Sequence, residues 1–142
     1  AFEEGWFRTG DAVDVDDGRL TVIGRLKDVV NRNGLKIALT EIDQALTSLP
    51  GVSECASFAV VDDHTGERLA VAVRPKAGVG VDLEDVIEHL QAGGLATRKL
   101  PEQLVVWDDP LPRTASGKIV RPRLVRESVG KPEQLAHRLR EA

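Results

Sequence analysis

The sequence lacks methionine and tyrosine altogether, has one cysteine, and contains only 4% aromatic residues in its 142 positions. The single cysteine, Cys55, excludes an internal disulfide framework and a zinc site built from several cysteines. No apolar run approaches the ~20 residues that a membrane-spanning helix needs, and no charged-then-apolar leader opens the chain. We therefore expect a cytoplasmic protein with no transmembrane segment and no bound metal.

An excess of positive charge is also missing. The 19 Lys and Arg residues face 23 Asp and Glu residues, and the net charge of −4 provides no general attraction for nucleic acid. A chain of 142 residues is long enough to bury the core of one domain. Because it has no Met and opens on Ala1, we expect a processed or excised piece of a longer protein.

Turn-forming pairs predict two hairpins in the first third of the chain. Asp17-Gly18 separates two β-prone runs, so residues 12–24 should form an antiparallel pair. Asn33-Gly34 should form a type I′ turn between strands at 28–32 and 35–37, because both residues accept positive φ angles.

The rest of the chain predicts helices against a small sheet. Apolar residues recur at helical spacing over residues 42–49, after a capping Thr40, and over residues 83–90. A basic helix should begin at Pro122 and a charged one should cover residues 131–142. Three β-prone runs predict strands: residues 57–61, 69–74 and 104–107. The fold class is therefore α+β, with a three-stranded sheet packed by helices and two peripheral two-stranded hairpins.

Two polar segments early in the chain have chemistry beyond what a plain fold requires. In Arg8-Thr9-Gly10-Asp11, the carboxylate suits a pair of ribose hydroxyls, and the alternative is a turn or capping Asp. In Gly24-Arg25-Leu26-Lys27-Asp28, Arg25 suits a ribose or phosphate, and the alternative is alternating charge on an exposed strand.

A third polar segment runs from Pro112 to Arg121. It places hydroxyl groups, Gly117 and Lys118 in a loop that suits phosphate or carboxylate oxygens, and the alternative is a solvated loop. It is not a P-loop, because Pro112 stands where that motif needs Gly and Ile119 where it needs Ser or Thr.

These segments, in this order, closely resemble the C-terminal motifs of the adenylate-forming superfamily. The resemblance rests on Gly5-Trp6-Phe7-Arg8-Thr9-Gly10-Asp11, on Gly24-Arg25-Leu26-Lys27-Asp28 with Gly34 and Glu41-Ile42-Asp43, and on residues 112–121. That superfamily comprises acyl- and aryl-CoA synthetases, firefly luciferase and the adenylation domains of nonribosomal peptide synthetases. The resemblance implies a C-terminal lid domain at residues 27–142, preceded at 1–26 by the terminal hairpin segment of a missing large N-terminal domain.

The resemblance also implies roles for individual residues. Lys118 looks like the catalytic lysine that bridges the acid carboxylate and the α-phosphate of ATP. Asp11 and Arg25 look like contacts to the ribose. Lys27 looks like the hinge about which the lid rotates, and Gly34 like the glycine beside which the pantetheine arm of CoA passes.

The parent enzyme is then expected to be an AMP-forming acid:CoA ligase. It would convert a fatty or aromatic carboxylic acid through an acyl-adenylate to a CoA thioester, with ATP, Mg²⁺ and CoA held mainly by the N-terminal domain. The chain alone is expected to be inactive. Lys27 favours a CoA ligase, because peptide-synthetase domains usually have Asp at the hinge. Two alternatives stay open: an acyl-AMP ligase or peptide-synthetase domain that loads a carrier protein, and a stand-alone interaction or regulatory module.

The sequence leaves one basic run without a firm role. Arg121, Arg123 and Arg126 would share the helix that follows Lys118, where they either contact CoA phosphates or form a solvated helix face. Cys55 is expected to be a buried, unreactive side chain.

Overall fold

Two short hairpins form the start of the computed structural model, which describes residues 2–3, 6–7, 11–16, 19–25 and 28–140. For the described residues up to Arg25, and for Arg140, only the backbone is described. Strand β1 (Phe2–Glu3) pairs antiparallel with β2 (Trp6–Phe7), and β3 (Asp11–Asp16) pairs antiparallel with β4 (Arg19–Arg25). The β3–β4 pair confirms the hairpin predicted at residues 12–24.

The next hairpin has the turn that its sequence predicts. Strands β5 (Val29–Arg32) and β6 (Leu35–Ala38) are antiparallel, and the two residues between them have positive φ angles, 52° at Asn33 and 82° at Gly34. The hairpin is not peripheral, however. Arg32 pairs with Gly66, so β5 is a strand of the central sheet.

Helix α1 (Leu39–Leu46) follows β6 without a connecting loop. Its N-terminal capping position is Ala38, which has no side-chain cap, so the prediction that Thr40 caps the helix was wrong. The helix begins earlier because this buries Leu39, which is only 1% exposed. Ile42 and Leu46 are buried as well, as the helical periodicity predicts.

The central sheet has six strands, more than the three expected. Besides β5 and β6 it contains β7 (Val52–Asp62), β8 (Gly66–Pro75), β9 (Gln103–Val106) and β10 (Glu133–Leu135). Strand β8 is central, because it pairs antiparallel with β7 and parallel with β9.

Both faces of β7 and β8 are covered, as their runs of apolar residues predict. Alternate residues of β8 enter two separate cores, and one core contains Leu69, Val71 and Val73 with the apolar faces of α1 and α2 (Leu83–Ala92). The other core packs the opposite face beneath α3 (Arg121–Glu127), and its buried members are Ala56, Phe58, Ala70, Ala72, Val105, Trp107, Leu111 and Leu124.

The tail differs most from the sequence prediction. The charged helix expected at residues 131–142 is wrong over its first part, where β10 pairs antiparallel with β9. Of the described residues in this tail, only His137–Arg140 is helical, as α4. The unpaired edge of β9 offers backbone hydrogen bonds that outweigh the local helix propensity of this segment.

Candidate active site

Lys118 lies in a closed loop at residues 112–120. The base of the loop is held by a hydrogen bond from the Val120 amide to the Pro112 carbonyl, 3.0 Å long. Nearer the tip, the Thr114 amide donates to the Lys118 carbonyl at 2.8 Å, and the Lys118 amide donates to Thr114 Oγ1 at 3.1 Å. Thr114 therefore fixes both backbone groups of Lys118.

The tip of this loop has the backbone shape that its glycine allows. Gly117 has a φ of 90°, a conformation that other residues rarely adopt, and its amide donates to the Thr114 carbonyl at 2.9 Å. The side chain of Lys118 is exposed, and among residues 28–139 it forms no ion pair. A fixed backbone thus presents an exposed ammonium group.

One arm of the loop is anchored to Glu54 on β7. Arg113 Nε lies 3.1 Å from Glu54 Oε1, while the Leu111 amide and Arg74 donate to the other carboxylate oxygen at 3.4 and 3.3 Å. Burial alone would raise the pKa of Glu54, but the three hydrogen bonds outweigh this and the pKa is lowered. Arg113 also donates to the Gly117 carbonyl at 3.0 Å, which joins the anchor to the tip.

The other arm is anchored by Arg121, the first residue of α3. Its guanidinium donates to the Ser57 carbonyl at 2.6 Å, to Asp43 Oδ2 at 2.7 Å and to Asp28 Oδ1 at 3.3 Å. Its side chain is 14% exposed. We call Arg121, Asp28, Asp43 and Ser57 the Arg121 cluster.

The three arginines of the basic run therefore have different environments. Arg121 is held in its cluster and is not available to CoA phosphates. Arg123 lies on the exposed side of α3 and pairs with Glu127 at 2.7 Å, and Arg126 is exposed as well. Arg123 and Arg126 therefore lie on a solvated helix face, which was one of the two alternatives, whereas Arg121 does not.

The Gly34 turn, the second predicted site, lies at the other end of the β7–β8 hairpin. The Asn33 amide donates to the Thr65 carbonyl at 2.8 Å, and the Gly34 amide donates to Asn31 Oδ1 at 3.0 Å. A side chain added at Gly34 would meet no atom within 4 Å, so the space beside this turn is open.

The two predicted ribose contacts lie in the first hairpins. Asp11 begins β3 and Arg25 ends β4, and the register of the two strands makes them direct partners. The backbone thus brings these two positions together, although they are 14 positions apart in the sequence. Lys27, the predicted hinge, lies outside the described residues.

The sequence did not identify Asp43, Ser57 or Glu54 as part of this site. Asp43 stands in the Glu41-Ile42-Asp43 motif on which the resemblance rests, but the sequence assigned it no role in the site. The contacts of Arg121 join residues 64 to 93 positions apart, and no local spacing signals them.

The described residues lack a metal-binding group and a membrane-spanning helix. Where side chains are described, no three His, Cys, Asp or Glu residues form a group that could hold a metal ion. No helix in the described part of the chain has the length and hydropathy to cross a membrane.

Comparison with known proteins identifies the family. Residues 41–118 match the sequence profile of the AMP-binding enzyme C-terminal domain. A probable CoA ligase from Humulus lupulus is 42% identical over 89% of this chain, and an oxalate–CoA ligase from Arabidopsis thaliana is 41% identical over 92%. The structure of a fatty acyl CoA synthetase from Mycobacterium tuberculosis superimposes with a TM-score of 0.66 and 34% identity over 89% of the chain.

The chain spans only about a quarter of each of these proteins, 24%, 25% and 25% of their respective lengths. The profile match, the relatives and the shared fold agree with the resemblance found in the sequence motifs. The chain therefore belongs to the family of AMP-binding enzyme C-terminal domains, a part of the adenylate-forming enzymes.

Proposed function

We propose that this chain is the catalytic lid of an ATP-dependent, AMP-forming acid:CoA ligase. In the first half-reaction a carboxylate oxygen attacks the α-phosphorus of ATP and pyrophosphate leaves. In the second, the CoA thiol attacks the acyl-adenylate, and the thioester and AMP are released. The exposed amine of Lys118 on its fixed loop is the observation that carries this proposal.

Lys118 would act in the first half-reaction. Its ammonium would lie between the acid carboxylate and the α-phosphate, where negative charge develops as the new bond forms. Thr114 supports this role, because its two hydrogen bonds with the Lys118 backbone limit the loop to one conformation before the lid closes. The long side chain of lysine then reaches a group that belongs to another domain.

The second half-reaction would use the Gly34 turn. The Lys118 loop is anchored at Glu54, near the start of β7, whereas the Gly34 turn contacts Thr65, just beyond its end. Asp62 lies eight positions after Glu54 on that strand, which corresponds to roughly 26 Å of extended chain. Two sites at opposite ends of the strand cannot face one reacting carbonyl together, which supports a lid that rotates between the two steps.

The proposal also includes the nucleotide contacts and the domain boundary, which rest on the resemblance of the motifs. Asp11 and Arg25, which are partners in the β3–β4 hairpin, would hold the ribose hydroxyls of AMP. Residues 1–26 would belong to the large domain, which would hold most of the ATP, Mg²⁺ and CoA sites. Lys27 would be the hinge, and residues 27–142 the moving lid. A fatty or aromatic acid as the substrate and a cytoplasmic location both stay predictions.

The test uses the full-length parent enzyme with Lys118→Ala. ATP–pyrophosphate exchange, measured with a panel of aliphatic and aromatic acids, should fall by about 100- to 1000-fold for whichever acid is active. Lys76→Ala is the matched control, because Lys76 is also an exposed lysine and its side chain takes no part in the hydrogen bonds that anchor the loop. Exchange in the control should match the unmodified enzyme.

The acceptor is tested separately. With preformed acyl-adenylate, the enzyme should transfer the acyl group to free CoA. If it transferred the acyl group only to a carrier protein, the alternative of a carrier-loading enzyme would be correct and the CoA ligase proposal would be wrong. Full exchange activity in Lys118→Ala would contradict the role of the lysine itself.

A further inference from the structure

The edge of strand β7 is where the Arg121 cluster forms. This strand pairs with β8 on one side, and Ser57 directs its backbone groups to the other. The Ser57 amide donates to Asp43 Oδ1 at 2.7 Å and its carbonyl accepts from Arg121 at 2.6 Å. Ser57 is fully buried, so these groups need partners inside the protein. An Asp–Arg pair here takes the place that a neighbouring strand would fill.

The cluster joins parts of the chain that are distant in sequence. Asp43 comes from α1, Ser57 from β7, and Asp28 from the segment next to the predicted hinge at Lys27. Three arms of one planar guanidinium bind them, which a lysine at this position could not reproduce. The partners thus fix the Arg121 side chain, and with it the first residue of α3, relative to the sheet.

Lys118 is three residues from this fixed point. Three residues of extended chain span at most about 10 Å, so the position of Arg121 restricts where the Lys118 backbone can lie. Arg113 and Glu54 restrain the other arm of the loop at an exposed position, where Arg113 is 38% exposed. The better-buried anchor of the two is therefore the one at Arg121.

Contacts other than those of Arg121 also attach the helix to the rest of the domain. Leu124 of α3 is completely buried in the second core, and the Trp107 indole donates to Ser128 Oγ at 3.1 Å just beyond the helix. Removal of the guanidinium should therefore leave α3 in place while it frees the end of the helix that carries the Lys118 loop.

We propose that Arg121 is a positioning residue for adenylation, which holds the Lys118 loop against the β7 edge through Asp43, Ser57 and Asp28. The inference rests on the proposed role of Lys118 in that half-reaction. It predicts that Arg121 acts through Lys118 and contributes little to the thioester step, in which the Gly34 end of the lid faces the substrate.

The test compares both half-reactions in the full-length parent enzyme. Arg121→Gln should lower acyl-adenylate formation about 10- to 100-fold in kcat, with a smaller change in the KM for ATP, because a misplaced loop weakens the transition state more than ground-state binding. Thioester formation from supplied acyl-adenylate should be unchanged. The matched control is Arg123→Gln, which removes an arginine from the same helix but outside the cluster and should leave both steps unchanged.

A double variant shows whether the effect passes through Lys118. The variant with both Arg121→Gln and Lys118→Ala should form acyl-adenylate no more slowly than Lys118→Ala alone, since the residue being positioned is already gone. Multiplicative losses would overturn the inference and leave the proposed function intact. Full adenylation by Lys118→Ala would instead overturn the proposed function.

A milder variant covers the case in which Arg121→Gln does not fold. Asp43→Asn keeps an acceptor oxygen for Ser57 but turns an amide group toward Arg121, so it loosens one arm of the cluster. It should lower adenylation selectively, by less than Arg121→Gln. Equal losses in both half-reactions, or no loss in adenylation, would show that the cluster only stabilises the fold and would overturn the inference.

Discussion

The charged tail is held to the central sheet by Arg138, and the strength of this attachment gives a numerical prediction. Arg138 pairs with both oxygens of Glu102, with one N–O distance of 2.8 Å, and with Asp62 Oδ2 at 3.0 Å. Asp62 is 2% exposed at its side chain and Glu102 15%, so both carboxylates need partners. We expect Arg138→Gln to release β10 and α4 from the edge of the sheet.

The free-energy cost of Arg138→Gln depends on which partners Asp62 and Glu102 keep in the variant. Asp62 keeps Arg68 at 3.4 Å and the amides of His64 and Thr65, and Glu102 keeps Arg32 at 3.4 Å. Hydrogen bonds between charged groups contribute about 1.5–3 kcal/mol, but Arg138 is 34% exposed and solvent screens part of this. We expect a cost of about 1–2 kcal/mol, which is a factor of about 5 to 30 in the equilibrium for opening the tail.

Hydrogen exchange of the parent enzyme measures this opening directly. The amide of Ala136 donates to the Glu102 carbonyl at 2.8 Å, and β10 pairs with β9, so peptides over residues 132–137 report the docked tail. Their protection should fall about 5- to 30-fold in Arg138→Gln and stay unchanged in Arg123→Gln. Unchanged protection in Arg138→Gln, or an equal loss in β7 and β8, would refute the reasoning.

Three further predictions concern single sites. Burial alone would raise the pKa of Asp62, but the hydrogen bonds from Arg138 and from two backbone amides hold this pKa well below its usual range. The ionised Asp62 therefore stabilises the docked tail above pH about 4, and this stabilisation is lost as the pH falls further. Hydrogen-exchange protection of the tail should decline in acid, and Asp62→Asn should flatten this pH dependence. Gly34→Ala places a side chain at a φ of 82° and should lower the free energy of unfolding of the 142-residue chain in urea by about 1 kcal/mol. Gly80→Ala is the control, because Gly80 also lies in open space but has no positive φ, and it should leave this free energy unchanged. Equal effects of the two variants would contradict the backbone explanation. Burial raises the pKa of the Cys55 thiol to about 11, so its alkylation at pH 8 should be about 100-fold slower than that of an unhindered cysteine, and fast labelling would show that the strand opens there.

Much of the fold could be predicted from local signals. The Asn33-Gly34 turn, the apolar face of α1 and the β-prone runs of β7 and β8 each depend on residues that are close in sequence. The wrong predictions have a common cause, because in each a distant contact outweighs a local preference. Burial of Leu39 moves the start of α1 away from Thr40, and the free edge of β9 converts part of the charged tail into a strand.

The candidate site also contains residues that local motifs identify and residues that only distant contacts identify. Lys118, Gly34 and Asp11 stand in recognisable motifs, so their positions could be named from the sequence alone. The Arg121 cluster could not, because a solvent-facing arginine and a buried one look alike in a basic helix. Only the approach of α1, β7 and α3 in space distinguishes Arg121 from Arg123.

The central claim is that the Lys118 ammonium serves adenylation and not thioester formation. The most direct measurement is a single-turnover comparison of the two half-reactions in the parent enzyme with Lys118→Ala. The account predicts that acyl-adenylate formation falls by about 100- to 1000-fold while conversion of supplied acyl-adenylate to thioester proceeds at the unmodified rate. Equal losses in the two steps, or full retention of the first, would contradict it.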